Sequence, residues 1–200
     1  MAKVLYIKAN PKVDGLSKSI QVANEFIKSY MEINPMDEVI ELDLYQEDIN
    51  YLSSSDLDDL KQIGNTDLSA HPIFKYAYQF LEADKYVIAA PFWNLSFPAI
   101  LKAYIDYISI SGITFKYGPN GPSGMCSGKA LHIVSRGGHY MEGPSNDFEM
   151  GDRYLRALFG FLGINDFYTI AIEGVDIVGS EVDEIMNSSI VKSKKLALKF

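Results

Sequence analysis

Apolar residues follow two rhythms along the chain. Short, nearly continuous apolar runs occur at 3–8, 86–90, 129–135 and 166–172, and a partly alternating run at 38–44 carries Val39, Ile40, Leu42 and Leu44. Their length and richness in β-branched residues predict strands buried on both faces. Between them lie segments with helical spacing. Residues 17–33 place Ile20, Ala23, Ile27, Tyr30 and Met31 on one side. Helices are also predicted over 73–83, 98–110, 146–162 and 181–198. In the fourth of these five helices, Phe148, Leu155, Leu158, Phe159 and Leu162 share a face. Two stretches break the rhythm. Residues 45–71 are polar and rich in Asp and Ser, and predict an irregular excursion with a short helix near 55–62. Residues 112–128, punctuated by Gly and Pro, predict a long loop in which Gly118, Gly121 and Gly124 punctuate a surface lid.

Five strands alternating with helices predict an α/β fold, a parallel sheet with helices on both faces. Two hundred residues suffice for one well-buried core, so one domain spanning 1–200 is expected. Of the two common strand orders, 3-2-1-4-5-6 usually carries G-x-G-x-x-G after its first strand. Here that turn has one glycine, Gly15, and two serines, Ser17 and Ser19. It suits a hydroxyl-lined monophosphate site and the order 2-1-3-4-5. The predicted helix 98–110 confines its polar residues Lys102, Asp106 and Ser109 to a narrow stripe. Such a helix must bury more than one side, and a partner subunit is the natural second cover.

Composition narrows the function. The apolar fraction is 48% and the charged fraction 22%, which is ordinary for a globular chain. A net charge of -8 argues against nucleic-acid binding, which needs a basic face. No apolar run reaches the ~18 residues that span a bilayer, and the N-terminus lacks the features of a secretory signal. The lone Cys126 cannot form an internal disulfide, and a cytoplasmic location is expected.

Ligands of open parallel sheets sit beyond the carboxyl ends of the strands, at the switch point. The three most unusual turns fall there. The first, residues 10–19, opens a helix, so Ser17 and Ser19 can serve an anion beside unpaired N–H groups, although Ser17 also suits a plain N-cap. The second holds Phe92, Trp93, Asn94 and Leu95; its aromatic pair suits either a flat ring or the core. The third, Ser135, Arg136, Gly137 and Gly138, lets backbone amides approach a ligand closely. His132 reads as a packed strand residue and His71 as an exposed one, while His139 could reach a substrate. No His/Cys/carboxylate cluster has metal spacing, and no nucleophile elbow is present. That suits a protein whose cofactor carries the chemistry.

The chain resembles the FMN-dependent NADH-azoreductase family, within the flavodoxin-like quinone reductases. The resemblance rests on the 3–8 strand, on 90–95 (Ala-Pro-Phe-Trp-Asn-Leu), 101–106, 112–117, Gly121-Pro122, 127–130, Ser135-Arg136-Gly137-Gly138, 161–164 and Glu173-Gly174. It implies a flavodoxin-like fold. It also implies that Asn10, Ser17, Lys18 and Ser19 hold the FMN phosphate, with Phe92 to Leu95 on one side of the ring and Ser135 to Gly138 on the other. The family often has Ser at the position of Asn10 and Met-Tyr at Phe92-Trp93. Its members are homodimers with two sites at the interface, which implies Phe115, Tyr117 and Phe161 as substrate-pocket walls, some donated across it. The expected reaction is ping-pong: NADH or NADPH passes hydride to flavin N5, oxidised nicotinamide leaves, and a quinone or azo compound takes its place. Water, His139 or Tyr140 is the candidate proton source. The alternatives are a reductase of nitroaromatics or ferric chelates, and a flavodoxin-like electron carrier.

Overall fold

The computed structural model describes residues 1–12, 14–60 and 71–200. Its main sheet has five parallel strands: β1 (Lys3–Lys8), β2 (Glu38–Asp43), β3 (Lys85–Pro91), β6 (Lys129–Ser135) and β7 (Asp166–Ile172). Their order is β2-β1-β3-β6-β7, which is the predicted 2-1-3-4-5.

Alternation along each strand divides the apolar residues between two cores. Val4, Tyr6, Val87, Ala89, Leu131 and Ile133 pack under α1 (Lys18–Ile33) and α6 (Val182–Ala197). Leu5, Ile7, Tyr86, Ile88 and Ala90 face the other side, under α3 (Lys75–Leu81), α4 (Ala99–Ile108) and α5 (Gly151–Leu162). Both faces are therefore covered, and this is why the strands read as continuous apolar runs. Aromatic rings lock each layer. Phe26, Tyr30 and Phe200 meet on the first face, and Phe80, Tyr86 and Phe159 on the second.

One irregular stretch matches the sequence expectation within the described residues, and two segments depart from it. The helix expected near 55–62 is α2 (Ser54–Asp59), closed at its start by a capping box between Ser53 and Asp56; positions 61 and 62 lie outside the described residues. The loop expected over 112–128 contains an antiparallel hairpin, β4 (Phe115–Gly118) and β5 (Gly121–Gly124). Its strands are mostly exposed, so no apolar alternation marks them. Gly124 is required by packing, because a Cβ there would lie 2.1 Å from the Leu162 carbonyl carbon. The helix expected over 146–162 is broken into a 3-10 turn (Pro144–Phe148) and α5. Phe148 is 56% exposed rather than on the buried face. The Glu149 carboxylate accepts from Asp152 N and Arg153 N, at 2.9 and 3.2 Å, and so caps α5 at the break.

The second cover expected for the 98–110 helix comes partly from the chain itself. Tyr76 of α3 lies edge-on to Tyr104 and Tyr107 of α4, with ring centroids 5.8 Å apart in both pairs.

Candidate functional site

The β1–α1 turn supplies a buried polar floor at the carboxyl edge of the sheet. Asn10 Nδ2 donates to Ser17 Oγ at 2.8 Å, and Ser17 Oγ lies 3.3 Å from Ser19 Oγ. Asn10 Oδ1 accepts from Lys12 N at 3.0 Å, which folds the turn back on itself. Ser17 is also the N-cap of α1, accepting from Ile20 N at 3.3 Å. Capping leaves this helix start compatible with an anion, since the first turn of the 16-residue helix carries no acidic residue and leading N–H groups of a helix have no intrahelical partner.

The turn after β3 forms an aromatic wall. Phe92 N bonds to Ser135 O at 2.8 Å, tying this turn to the end of β6. Trp93 and Ser96 exchange two backbone hydrogen bonds of 2.9 Å across a two-residue tip. Asn94 and Leu95 at that tip have φ of 49° and 67°. A two-residue turn with both φ values positive matches the right-handed twist of its flanks, but it strains a residue such as leucine. Met150 N holds Leu95 O at 3.0 Å from the start of α5.

The turn after β6 brings bare backbone to the cleft. Gly137 has no room for a side chain, because a Cβ would lie 2.7 Å from Asp176 Oδ2. Gly137 O and Gly138 O accept from Asp176 N and Gly174 N, both at 3.1 Å. A fourth turn, after β7, is thus clamped to the third.

These turns enclose a cleft of about 120 Å³. Of the residues proposed from sequence, Asn10, Ser17, Lys18, Phe92, Trp93, Ser135 and Gly137 line it. Ser19 stands behind Ser17. Asn94 and Leu95 form the exposed tip beside it. Gly138 joins the third turn to the fourth. Arg136 does not line the cleft; its side chain is buried in ion pairs with Glu149 and Glu173. Tyr140 covers Phe92, ring centroids 4.6 Å apart. His139 is mostly exposed, its Nδ1 3.9 Å from Glu173 Oε2. Phe115, Tyr117 and Phe161 form one aromatic cluster, with Phe115 4.8 Å from Phe161 and 5.6 Å from Tyr117, but none of them lines the cleft.

Lys12 and Leu16 of the first turn and Pro91 at the end of β3 also line the cleft, as do two residues outside the turns singled out from sequence, Val175 and Asp176. The strand order offered a signal for the last two. The turn after the fifth strand opens on the same edge as its neighbour, one strand over. Beside the cleft, Ser96, Phe97, Lys102, Met150, Arg153, Tyr154 and Ala157 line an apolar depression of about 450 Å³.

Two other groups are structural. His132 Nδ1 lies 3.0 Å from Asp152 Oδ1 inside the molecule. Burial opposes ionisation of Asp152, yet hydrogen bonds from His132 and Thr169 and the charge of Arg156 hold its carboxyl well below the usual range. Cys126 is buried, and burial pushes its thiol up to about 12, which disfavours the thiolate.

A parallel sheet with a hydroxyl-lined helix start and an aromatic wall at its switch point defines an α/β protein whose cleft suits a phosphorylated flat-ring ligand. A family model described as the flavodoxin-like fold matches residues 2–196, and the chain belongs to that family. It is 57% identical over 203 residues to an FMN-dependent NADH:quinone oxidoreductase of Clostridium acetobutylicum, covering all of both chains. Among solved structures, it is similar to an azoreductase from Bacillus anthracis (TM-score 0.87, 38% identity, all of both chains covered). It is also similar to an FMN-dependent NADH-azoreductase of the same species in complex with FMN (TM-score 0.89, 29% identity, 98% of both chains covered).

The residues present fit FMN. The Ser17 hydroxyl and the α1 N-terminus match a phosphate monoester, and Phe92 and Trp93 offer flat apolar surface. Gly137 keeps the opposing wall bare. The enclosed part is small beside the ~300–1,000 Å³ of most small-molecule sites. The remainder is open, with Trp93 41% and Leu95 43% exposed.

Proposed function

We propose that this chain is an FMN-dependent NADH:quinone oxidoreductase that also reduces azo compounds. The observation that carries the reading is the convergence of a hydroxyl-lined helix start and an aromatic wall on one cleft. FMN supplies, when bound, a two-electron carrier that takes hydride from NADH and passes reducing equivalents to the acceptor.

The chain's own residues bind and orient. Asn10, Ser17, Lys18 and Ser19, with the start of α1, hold the phosphate. Phe92, Trp93, the 94–95 tip and the 135–138 backbone hold the ring. Donor and acceptor use one mouth in turn, which makes the kinetics ping-pong. His139 and Tyr140, which follow the Gly137-Gly138 turn, are the candidate proton donors beside water.

The working unit we propose is a homodimer. Exposed Trp93, Leu95 and Met150 and the neighbouring depression offer an apolar face, and the Phe115, Tyr117 and Phe161 cluster is the wall a partner would contribute. No described helix is long and apolar enough to cross a membrane, and the cytoplasm is the proposed location.

An anaerobic titration of the FMN-loaded protein with NADH and then NADPH, followed by menadione and an azo dye, tests the reading. Bleaching by nicotinamide and recovery with acceptor are expected. A protein that stays colourless and inactive when given FMN and NADH would refute it.

A further inference from the structure

Arg136 is among the most deeply buried large side chains of the molecule, 1% exposed. Its Nη1 donates to Glu173 Oε1 at 3.0 Å, and its Nη2 lies 3.0 Å from Glu149 Oε1. Both carboxylates already have backbone duties. Glu173 Oε1 accepts from Tyr140 N and Met141 N at 2.7 and 3.0 Å, pinning the segment that follows Gly137-Gly138. Glu149 caps α5, whose first turn in its own right follows Met150, the residue that holds the strained Leu95 tip. The guanidinium also lies over Phe92, its Cζ 5.4 Å from the ring centroid, with Tyr140 packed against the same ring.

Burying a guanidinium is costly, and an apolar side chain of similar volume often stabilises a protein as well or better. Here Nε has no hydrogen-bond partner, and Nη2 meets Glu149 without hydrogen-bond alignment. The cluster is therefore a poor device for stability alone. Its members reach the turn after β3, the turn after β6, the end of β7 and the start of α5, which are the elements around the cleft.

We propose that the Arg136 side chain positions the flavin without touching it: through Glu173, Glu149 and Phe92 it sets the two opposing walls of the cleft and the charge behind them. This deepens the FMN reading and rests on it. The cluster holds one cation and two carboxylates, so its charge state matters to a ring that gains electrons one aromatic side chain away.

The test compares wild type with Arg136→Lys, Arg136→Met, Glu173→Gln and, at the opposite edge of the sheet, Asp37→Asn. Asp37 accepts from Ala2 N at 2.7 Å and from the Tyr30 hydroxyl, so its loss weakens the fold away from the cleft. Readouts are the FMN dissociation constant from fluorescence quenching, the midpoint potential of bound FMN, and thermal stability. Arg136→Lys keeps the charge but loses the fork, so FMN should bind about tenfold more weakly, the scale of one charge-assisted hydrogen bond, with little change in potential. Arg136→Met leaves two carboxylates uncompensated and should make the potential more negative. Glu173→Gln removes one of them and should move it the other way, which keeps the test decisive if the Met variant does not fold. Asp37→Asn should lower thermal stability and leave affinity and potential unchanged. Wild-type affinity and potential in both Arg136→Lys and Glu173→Gln would overturn the proposal. So would affinity that merely tracks stability across all variants, the Asp37 control included. Wild type that binds no FMN would sink the functional reading and this inference with it; normal wild-type binding with unaffected variants would sink the inference alone.

Discussion

Leu95 shows strain placed at the mouth of a site. Its φ of 67° belongs to a region that disfavours side chains by ~1–2 kcal/mol, and such strain persists only where the surroundings over-determine it. The Trp93–Ser96 hydrogen bonds and the Met150 N–H do so here. Comparing two truncations isolates the backbone contribution. Leu95→Gly is expected to be more stable than Leu95→Ala by about 1 kcal/mol, the reverse of the usual order, in denaturant unfolding. Equal stabilities would mean that the tip carries no strain. At this scale the candidate residues after β1, β3 and β6 were legible in the sequence, because the edge rule for parallel sheets points to turns. The burial of Arg136 was not. A guanidinium next to two glycines reads as a ligand contact until its carboxylate partners, 13 and 37 positions further along the chain, are seen beside it.

Elements carry the next two predictions. The β4–β5 hairpin lies against the end of α5 with backbone in contact at Gly124. Gly124→Ala must push the hairpin off Leu162, and a loss of about 2–3 kcal/mol is expected in chemical denaturation. Gly121→Ala meets no neighbour but sits at φ 103°, so it strains only the turn. The second prediction concerns α5 and acid. Asp152, near the start of α5, bonds to His132 of β6 and to Thr169 of β7. Its carboxyl is held below its unfolded value, so its stabilisation is complete above about pH 4 and is lost as pH falls toward the folded value. The thermal midpoint should therefore decline as the pH drops below about 4, and Asp152→Asn should flatten that decline while lowering stability at neutral pH. A wild-type acid limb identical to that of the variant would assign the effect elsewhere. The buried strands and long helices were readable because their periodicity spans many residues. The hairpin and the break before α5 were not, since exposed short strands and a Glu149 cap leave no periodic trace.

For the whole molecule, the four turns act as a unit only when the sheet is assembled, so FMN should stabilise the fold. At a free FMN concentration a hundredfold above the dissociation constant, mass action contributes about 2.7 kcal/mol. For a chain of this size that corresponds to a rise in Tm of about 5–10 °C. Differential scanning calorimetry across FMN concentrations measures it, and a midpoint that does not move would mean that native and unfolded chains bind FMN alike or not at all.

Amino-acid order alone determined the α/β class, the five strands of the main sheet and their order, and three of the turns at the working edge. Those follow from local periodicity and from where a parallel sheet must open. Only the folded chain decided that the turn after β7 completes the cleft, that Arg136 stands behind the walls rather than in them, and that a hairpin rests on α5. Each of these depends on groups brought together from distant positions, and burial, ion pairing and clearance for a Cβ exist only once those groups meet.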